Sequence, residues 1–208
     1  MKTLLLLMAM ATLIVAGPAQ AQCNPDPNEI GIFWEPDCGN CLNCIDFIGG
    51  ELTAYVVLIN ASQPGGVHGF EFSLTNADGS TFMPPPMDFV ISYNLPPGGI
   101  NVDTAPDFIV GIATPLPWSP CITLISISML VFAPESWCFG VRPISFPSIP
   151  GHMAYADGAD PGNLLPMYPN TGPDAPDYMM ACLNSFDCPT GPVATENSSW
   201  GTLKSLYR

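Results

Sequence analysis

Val67-His68-Gly69-Phe70-Glu71-Phe72-Ser73-Leu74-Thr75 alternates with a period of two: Phe70, Phe72 and Leu74 fall on one side, and Gly69, Glu71, Ser73 and Thr75 on the other. That period belongs to a strand with one buried and one wetter face. Asn76-Ala77-Asp78-Gly79 reads as its turn, because Asp supplies a local side-chain bond and Gly a positive φ. Upstream, Leu52 to Asn60 is apolar on both faces and predicts a central strand covered on each side. Glu29 to Glu35 sets Ile30, Ile32 and Trp34 together on one face. Downstream, Pro84 to Pro86 cannot donate ladder bonds, so the next strand is expected at Asp88 to Tyr93, closed by Pro96-Pro97-Gly98-Gly99. Asp107 to Ala113 follows. Ile122 to Phe132 then aligns Ile125, Ile127, Met129 and Val131 opposite Ser126 and Ser128, and Trp137 to Val141 returns. Strands of this length, separated by turn signals of this density, predict an all-β, immunoglobulin-like two-sheet sandwich.

The 25 prolines and 19 glycines in 208 residues leave little room for helices, and the length suits a single domain. After Ser145 the periodicity fades. Residues 145 to 176 read as a long irregular surface loop, with one last strand at Tyr178 to Leu183. The ending from Ser198 has a Ser cap, with Trp200, Leu203 and Tyr207 on one face and basic residues at its close. This predicts a short C-terminal helix that docks on its own sandwich or on a partner. The expected organisation is thus a signal peptide over 1–21, a disulfide-bearing sandwich over 22–195 that is loop-rich from 145, and a helical tail over 196–208.

The signal-peptide reading rests on Lys2, the apolar run Thr3 to Val15 and the small residues of Ala19-Gln20-Ala21, which set Gln22 as the mature N-terminus. Gln22 stands where a lipoprotein signal takes Gly, Ala or Ser, which argues against an anchor on Cys23. No later stretch is long and apolar enough for a transmembrane segment. The expected location is therefore secreted, extracellular or at the cell surface. Eighteen acidic residues stand against four Lys and Arg, a formal net charge of −14. Nucleic acid is excluded as a partner on that ground, since its phosphates require a basic patch.

Eight cysteines, Cys23, Cys38, Cys41, Cys44, Cys121, Cys138, Cys182 and Cys188, read as disulfide partners in an oxidising compartment. Cys38-x-x-Cys41-x-x-Cys44 has the spacing of half a zinc site but no matching pair with His. An odd cluster of three requires at least one bond to a distant residue if all eight pair. A direct Cys121–Cys138 bridge is disfavoured, because the intervening strand spans roughly 35 Å and disulfide Cα atoms must lie within about 7 Å. The economical expectation is that Cys188 ties the end of the chain to the N-terminal cluster.

Chemical motifs are sparse. His68 shares the phase of Phe70 and Phe72, His152 sits in a Pro-Gly loop, and no Gly-x-Ser-x-Gly elbow marks a nucleophile. No catalytic residue is assigned, and the acids mostly neighbour Pro, Gly or Asn, as turn residues do. Asp157, Asp160 and Asn163 form an oxygen-rich run that is a candidate Ca²⁺ loop, though it departs from the Asp-x-Asp-x-Asp-Gly pattern and lacks the closing Glu; an Asx-turn loop is the competing reading. No other cofactor is expected. Trp118, between Pro117 and Ser119, is the best candidate for an exposed stacking platform. Asn60-Ala61-Ser62 and Asn197-Ser198-Ser199 are glycosylation sequons.

The pairing of Leu52-Thr53-Ala54-Tyr55-Val56-Val57-Leu58-Ile59-Asn60 with Val67-His68-Gly69-Phe70-Glu71-Phe72-Ser73-Leu74-Thr75 resembles the opening of cohesin-like domains, over residues 51 to 143. Those are extracellular β-sandwiches that dock partners or carbohydrate-processing assemblies, so the resemblance implies a cohesin-like sandwich. Trp200-Gly201-x-x-Lys204-x-Leu206-Tyr207-Arg208 also resembles the tails of a group of exported bacterial proteins to which no activity is attached, and implies bacterial export. The leading expectation is a non-enzymatic extracellular binding or scaffolding protein with a protein or glycan partner. The alternatives are a carbohydrate-binding module, a secreted hydrolase and a self-assembling surface subunit.

Overall fold

A computed structural model describes residues 26–38, 44–47, 49–80, 82, 89–131, 136–170 and 181–184. Its elements in chain order are β1 (Glu29–Phe33), β2 (Cys44–Ile45), β3 (Gly50–Ile59), β4 (Val67–Asn76), β5 (Phe89–Asn94), β6 (Gly99–Asn101), β7 (Asp107–Leu116), β8 (Cys121–Val131), β9 (Trp137–Arg142), β10 (Met153–Asp157), β11 (Leu164–Pro169) and β12 (Ala181–Leu183). They form two layers. The first runs β1-β3-β8-β5, antiparallel throughout. In the second, β7 and β6 lie on one side of β4, and β10 and β9 share the other, with β12 and β2 beyond β9.

Both layers turn their larger apolar side chains inward. Ile30, Ile32, Val56, Leu58 and Ile127 from the first sheet meet Phe72, Leu74, Phe139 and Val141 from the second, all fully buried. β3 is central as its two-sided apolar run requires, with β1 on one edge and β8 on the other. An aromatic chain crosses the core: Phe72 stacks on Phe108 at 5.2 Å between centroids, and Phe108 meets Tyr93 of the opposite sheet edge-on at 5.2 Å. The Tyr93 hydroxyl shares this burial, which pushes its pKa up to about 12.

The structure refines the sequence reading at four points. The segment from 145 is not one irregular loop, because Met153–Asp157 and Leu164–Pro169 are strands. Their signal is weak because Met153 and Tyr155 alternate with Ala154, which is itself buried, rather than with polar residues, and because Pro166 and Pro169 interrupt β11. Second, Pro96 to Gly99 forms the expected turn, Gly99 N donating to the Pro96 carbonyl at 2.9 Å, and Gly99 also opens the short edge strand β6. Third, Ile125, Ile127, Met129 and Val131 share the buried face of β8 as expected, and ahead of them the β3–β8 register slips between Val56 and Val57, so that Leu124 is buried beside Ile125. A bulge turns two successive residues inward, which alternation cannot express. Fourth, His68 leaves the phase of Phe70 and stands half-buried where the β4 ladders shift register.

β11 joins the layers. Residues Leu164 to Met167 pair antiparallel with β10, while Tyr168 and Pro169 pair parallel with Glu29 and Ile30 of β1. The strand thereby turns the corner between the sheets. Beneath that corner the buried Tyr155 hydroxyl donates to Asn28 Oδ1 at 2.8 Å, and Ser62 N donates to the same oxygen at 2.8 Å. Gly66 at φ 82° serves the same end of the sandwich, since a Cβ there would strike the Leu116 carbonyl.

β9 and β10 are two halves of one strand path along β4. Arg142 pairs with Ser73 and Ala154 with Glu71, and residues 143–152 leave the sheet between them. Glu71 fastens this excursion, its carboxylate accepting Ser148 N at 2.6 Å and Ser148 Oγ at 2.7 Å while the residue is buried. Charge-assisted bonds of this kind are among the stronger ones. Glu71→Ala is expected to cost about 1–3 kcal/mol in urea unfolding. Ser148→Ala should cost less, and the double variant should fall short of the sum because both lose one shared contact. A strictly additive pair would mean that the excursion is held by something else.

Candidate functional site

Two disulfides have both partners among the described residues. Cys38 bonds Cys121 with Cα atoms 6.0 Å apart, and Cys138 bonds Cys182 with Cα atoms 4.1 Å apart. Cys44 is disulfide-bonded as well. Cys121 and Cys138 therefore go to different partners, and one member of the Cys38 cluster does reach a distant strand. Cys23, Cys41 and Cys188 lie outside the described residues, as do the signal peptide and the tail residues Trp200, Leu203 and Tyr207. Disulfides of this kind fit an extracellular protein. No helix among the described residues is long and apolar enough to cross a membrane.

Asp157, Asp160 and Asn163 come together in the β10–β11 connection, and their groups serve the loop itself. Asp157 Oδ1 accepts Ala159 N at 3.0 Å and Asp160 Oδ1 accepts Gly162 N at 3.1 Å, two Asx turns. Asn163 closes the loop through its backbone, which exchanges bonds with Asp157 N and Asp160 O. Among the described residues, no group of three or more His, Cys, Asp and Glu stands together. Trp118 lies in the β7–β8 loop, 49% exposed, and its indole N–H donates to Ala61 O at 2.9 Å, which fixes the ring's orientation. His152 meets Tyr168 edge-on at 5.5 Å.

The outward face of the first sheet divides in two. At one end Phe33, Val57 and Ile59 form a small apolar cluster, covered by Cys38 and Cys121 with Tyr55 beside them. The Cys38–Cys121 bond draws the segment after β1 across those side chains. Toward β5 the face is uncovered and carries hydroxyls and amides. Register places Asn94, Ser126 and Tyr55 in one row and Ser92, Ser128 and Thr53 in the next. Asn94 Nδ2 donates to Ser128 Oγ at 3.2 Å and to Ser126 Oγ at 3.4 Å, so these groups are ordered before any partner arrives. Glu51 is the charged residue of the adjoining row, opposite the exposed Leu130. Ser126 and Ser128 were legible as the wetter side of β8; that Asn94 and Thr53 join them required the register.

These features define a class, an all-β sandwich of two sheets with disulfide-stapled loops and one uncovered, ordered polar face. No family model matches the chain, and no curated protein matches it. Solved structures with a similar fold include a cohesin module from a family 33 glycoside hydrolase of Clostridium perfringens, at 10% identity over 67% of this chain and 88% of that one, with a TM-score of 0.38. A type II cohesin domain from the cellulosome of Acetivibrio cellulolyticus is similar at 12% identity over 78% of this chain and 98% of that one, with a TM-score of 0.40.

Proposed function

We propose that the protein is a non-enzymatic extracellular binding module that docks a protein partner on the outer β5-β8-β3 face. The observation that carries this reading is the pre-ordered patch of Asn94, Ser126 and Ser128 beside Thr53, Tyr55 and Leu130. A flat surface of neutral hydrogen-bonding groups with an apolar residue at its margin pays little to lose water and little to become ordered. Export and disulfide formation would place that surface outside the cell. A second reading, a glycan site at Trp118, is supported by the fixed orientation of its half-exposed ring.

Ser126→Arg and Ser128→Arg test the first reading. Both positions face outward, so stability should stay within about 0.5 kcal/mol, while extracellular proteins retained by the unaltered chain should no longer be retained. Retention that survives both changes would overturn the assignment of this face. Glycan binding abolished by Trp118→Ala, with retention of proteins absent, would establish the second reading in its place.

A further inference from the structure

We propose that the outer face of the second sheet is the docking site for the chain's own segment 197–208. This goes beyond the function proposed above, which concerns the other sheet. The large hydrophobic residues exposed at the surface include Ile100 at 68%, Val102 at 75%, Phe146 at 92%, Leu164 at 43% and Tyr168 at 45%. All five belong to β6 and its continuation, to β11, or to the excursion that Ser148 fastens onto Glu71.

Strand register places two of these residues, Ile100 and Leu164, at the ends of one row. Ile100 stands opposite Gly111, Gly111 opposite Gly69, Gly69 opposite Ala156, and Ala156 opposite Leu164. Gly69 and Gly111 alternate with the core residues Phe70 and Val110, so the row faces outward. Ile100 and Leu164 thus stand at the two ends of a row of small residues, in which Gly69 is buried and a Cβ on it would meet the Val110 carbonyl at 2.8 Å, whereas Gly111 is exposed and nothing lies within 4 Å of where its Cβ would stand. A glycine in a strand weakens it, and here no neighbouring atom requires one.

Three observations select the tail as occupant. The last described strand, β12, belongs to this same sheet, and Asn184 pins its end by bonding both Phe47 N, at 2.6 Å, and Phe47 O, at 2.8 Å. From there β6 lies four strand spacings away, about 19 Å, whereas residues 185–199 can span about 50 Å. Trp200, Leu203 and Tyr207 recur at the spacing of one helical face, in a segment too short to be a stable helix alone. Charge is also complementary. Arg142 is the one Lys or Arg among the described residues and donates to Gly79 O, while Asp103 and Asp107 border Val102 and Ile109; Lys204 and Arg208 would bring cations to that face.

Hydrogen exchange followed by mass spectrometry tests this on the full chain, on a chain ending at Glu196, and on full-length Gly111→Thr and Ile100→Asp. Removal of the tail should speed exchange of amides 99–102, 109–113 and 164–168 by about tenfold, the factor that burial of one large side chain supplies. Gly111→Thr should give the same loss of protection with its thermal midpoint held or raised, because a β-branched residue suits the strand and the open position accepts it. Ile100→Asp should agree. Equal exchange with and without the tail, or unchanged protection in Gly111→Thr, overturns the proposal. So does protection that appears only as the protein dimerises in sedimentation, since a second copy would then be the occupant.

Discussion

Phe108→Ala is expected to lower stability by about 3–5 kcal/mol and to return Tyr93 toward ordinary phenol behaviour. Phe108 is 1% exposed and is one of the rings through which the two sheets meet, stacked on Phe72 and edge-on to Tyr93. Its removal deletes apolar burial and leaves a cavity between layers that are each fixed by their own ladders, so collapse onto the space is limited. The Tyr93 pKa, pushed up to about 12 by burial, supplies a second readout. A group whose folded pKa exceeds its unfolded value of about 10 contributes stability that is full below pH 10 and is lost as pH rises through 12. The unaltered protein should therefore weaken between those values. In the variant, water reaches Tyr93 and its phenolate should form nearer pH 10, making the alkaline loss shallower. Urea unfolding against pH, with ultraviolet titration referenced to Tyr93→Phe, measures both effects. A cost below about 1 kcal/mol together with an unmoved titration would show that Phe108 does not join the layers.

Loss of the Cys138–Cys182 bond should cost about 4 kcal/mol on the chain-entropy account, from its separation of 44 residues. The effect should be concentrated at one edge of the second sheet. β12 has three residues, pairs with β9 and carries β2 on its far side, so the bond holds two very short strands in register. Cys138→Ala with Cys182→Ala should lower the thermal midpoint and release both. Loss of Cys38–Cys121, with a separation of 83, should cost about 4–5 kcal/mol on the same account. It should also uncover Phe33, Val57 and Ile59, visible as new binding of an apolar dye. A reductant should reproduce both changes and a chelator neither. A chelator that unfolds the protein would contradict the bonding of Cys38 to Cys121.

The polar face illustrates how far residues alone lead. Ser126 and Ser128 announce a wet side of β8 by alternation, yet nothing in their neighbourhood names Asn94 and Thr53 as companions, because cross-strand partners are chosen by register. Trp118 follows the same rule. Its flanking residues place it in a loop, and only the fold brings the Ala61 carbonyl to its indole N–H. Asp157 and Asp160 needed the least context, since an Asx turn forms within two residues.

By itself the sequence determined what depends on neighbours along the chain: the all-β class, the strands that alternate strongly, the turn at Asn76 to Gly79, and β3 as a central strand, which is buried on both faces over Val56 to Ile59. Such features follow from side-chain period and backbone preference, which act over a few residues. Tertiary structure decided the bulge that turns both Leu124 and Ile125 inward, the passage of β11 from one sheet to the other, the recruitment of Met153–Asp157 beside β4, and the partners of Cys38 and Cys138. Each of these is a choice among edges and distances that exist only once the other strands are in place. Where a strand is covered on both sides, or broken by proline, the alternation that would announce it is erased by the packing that stabilises it.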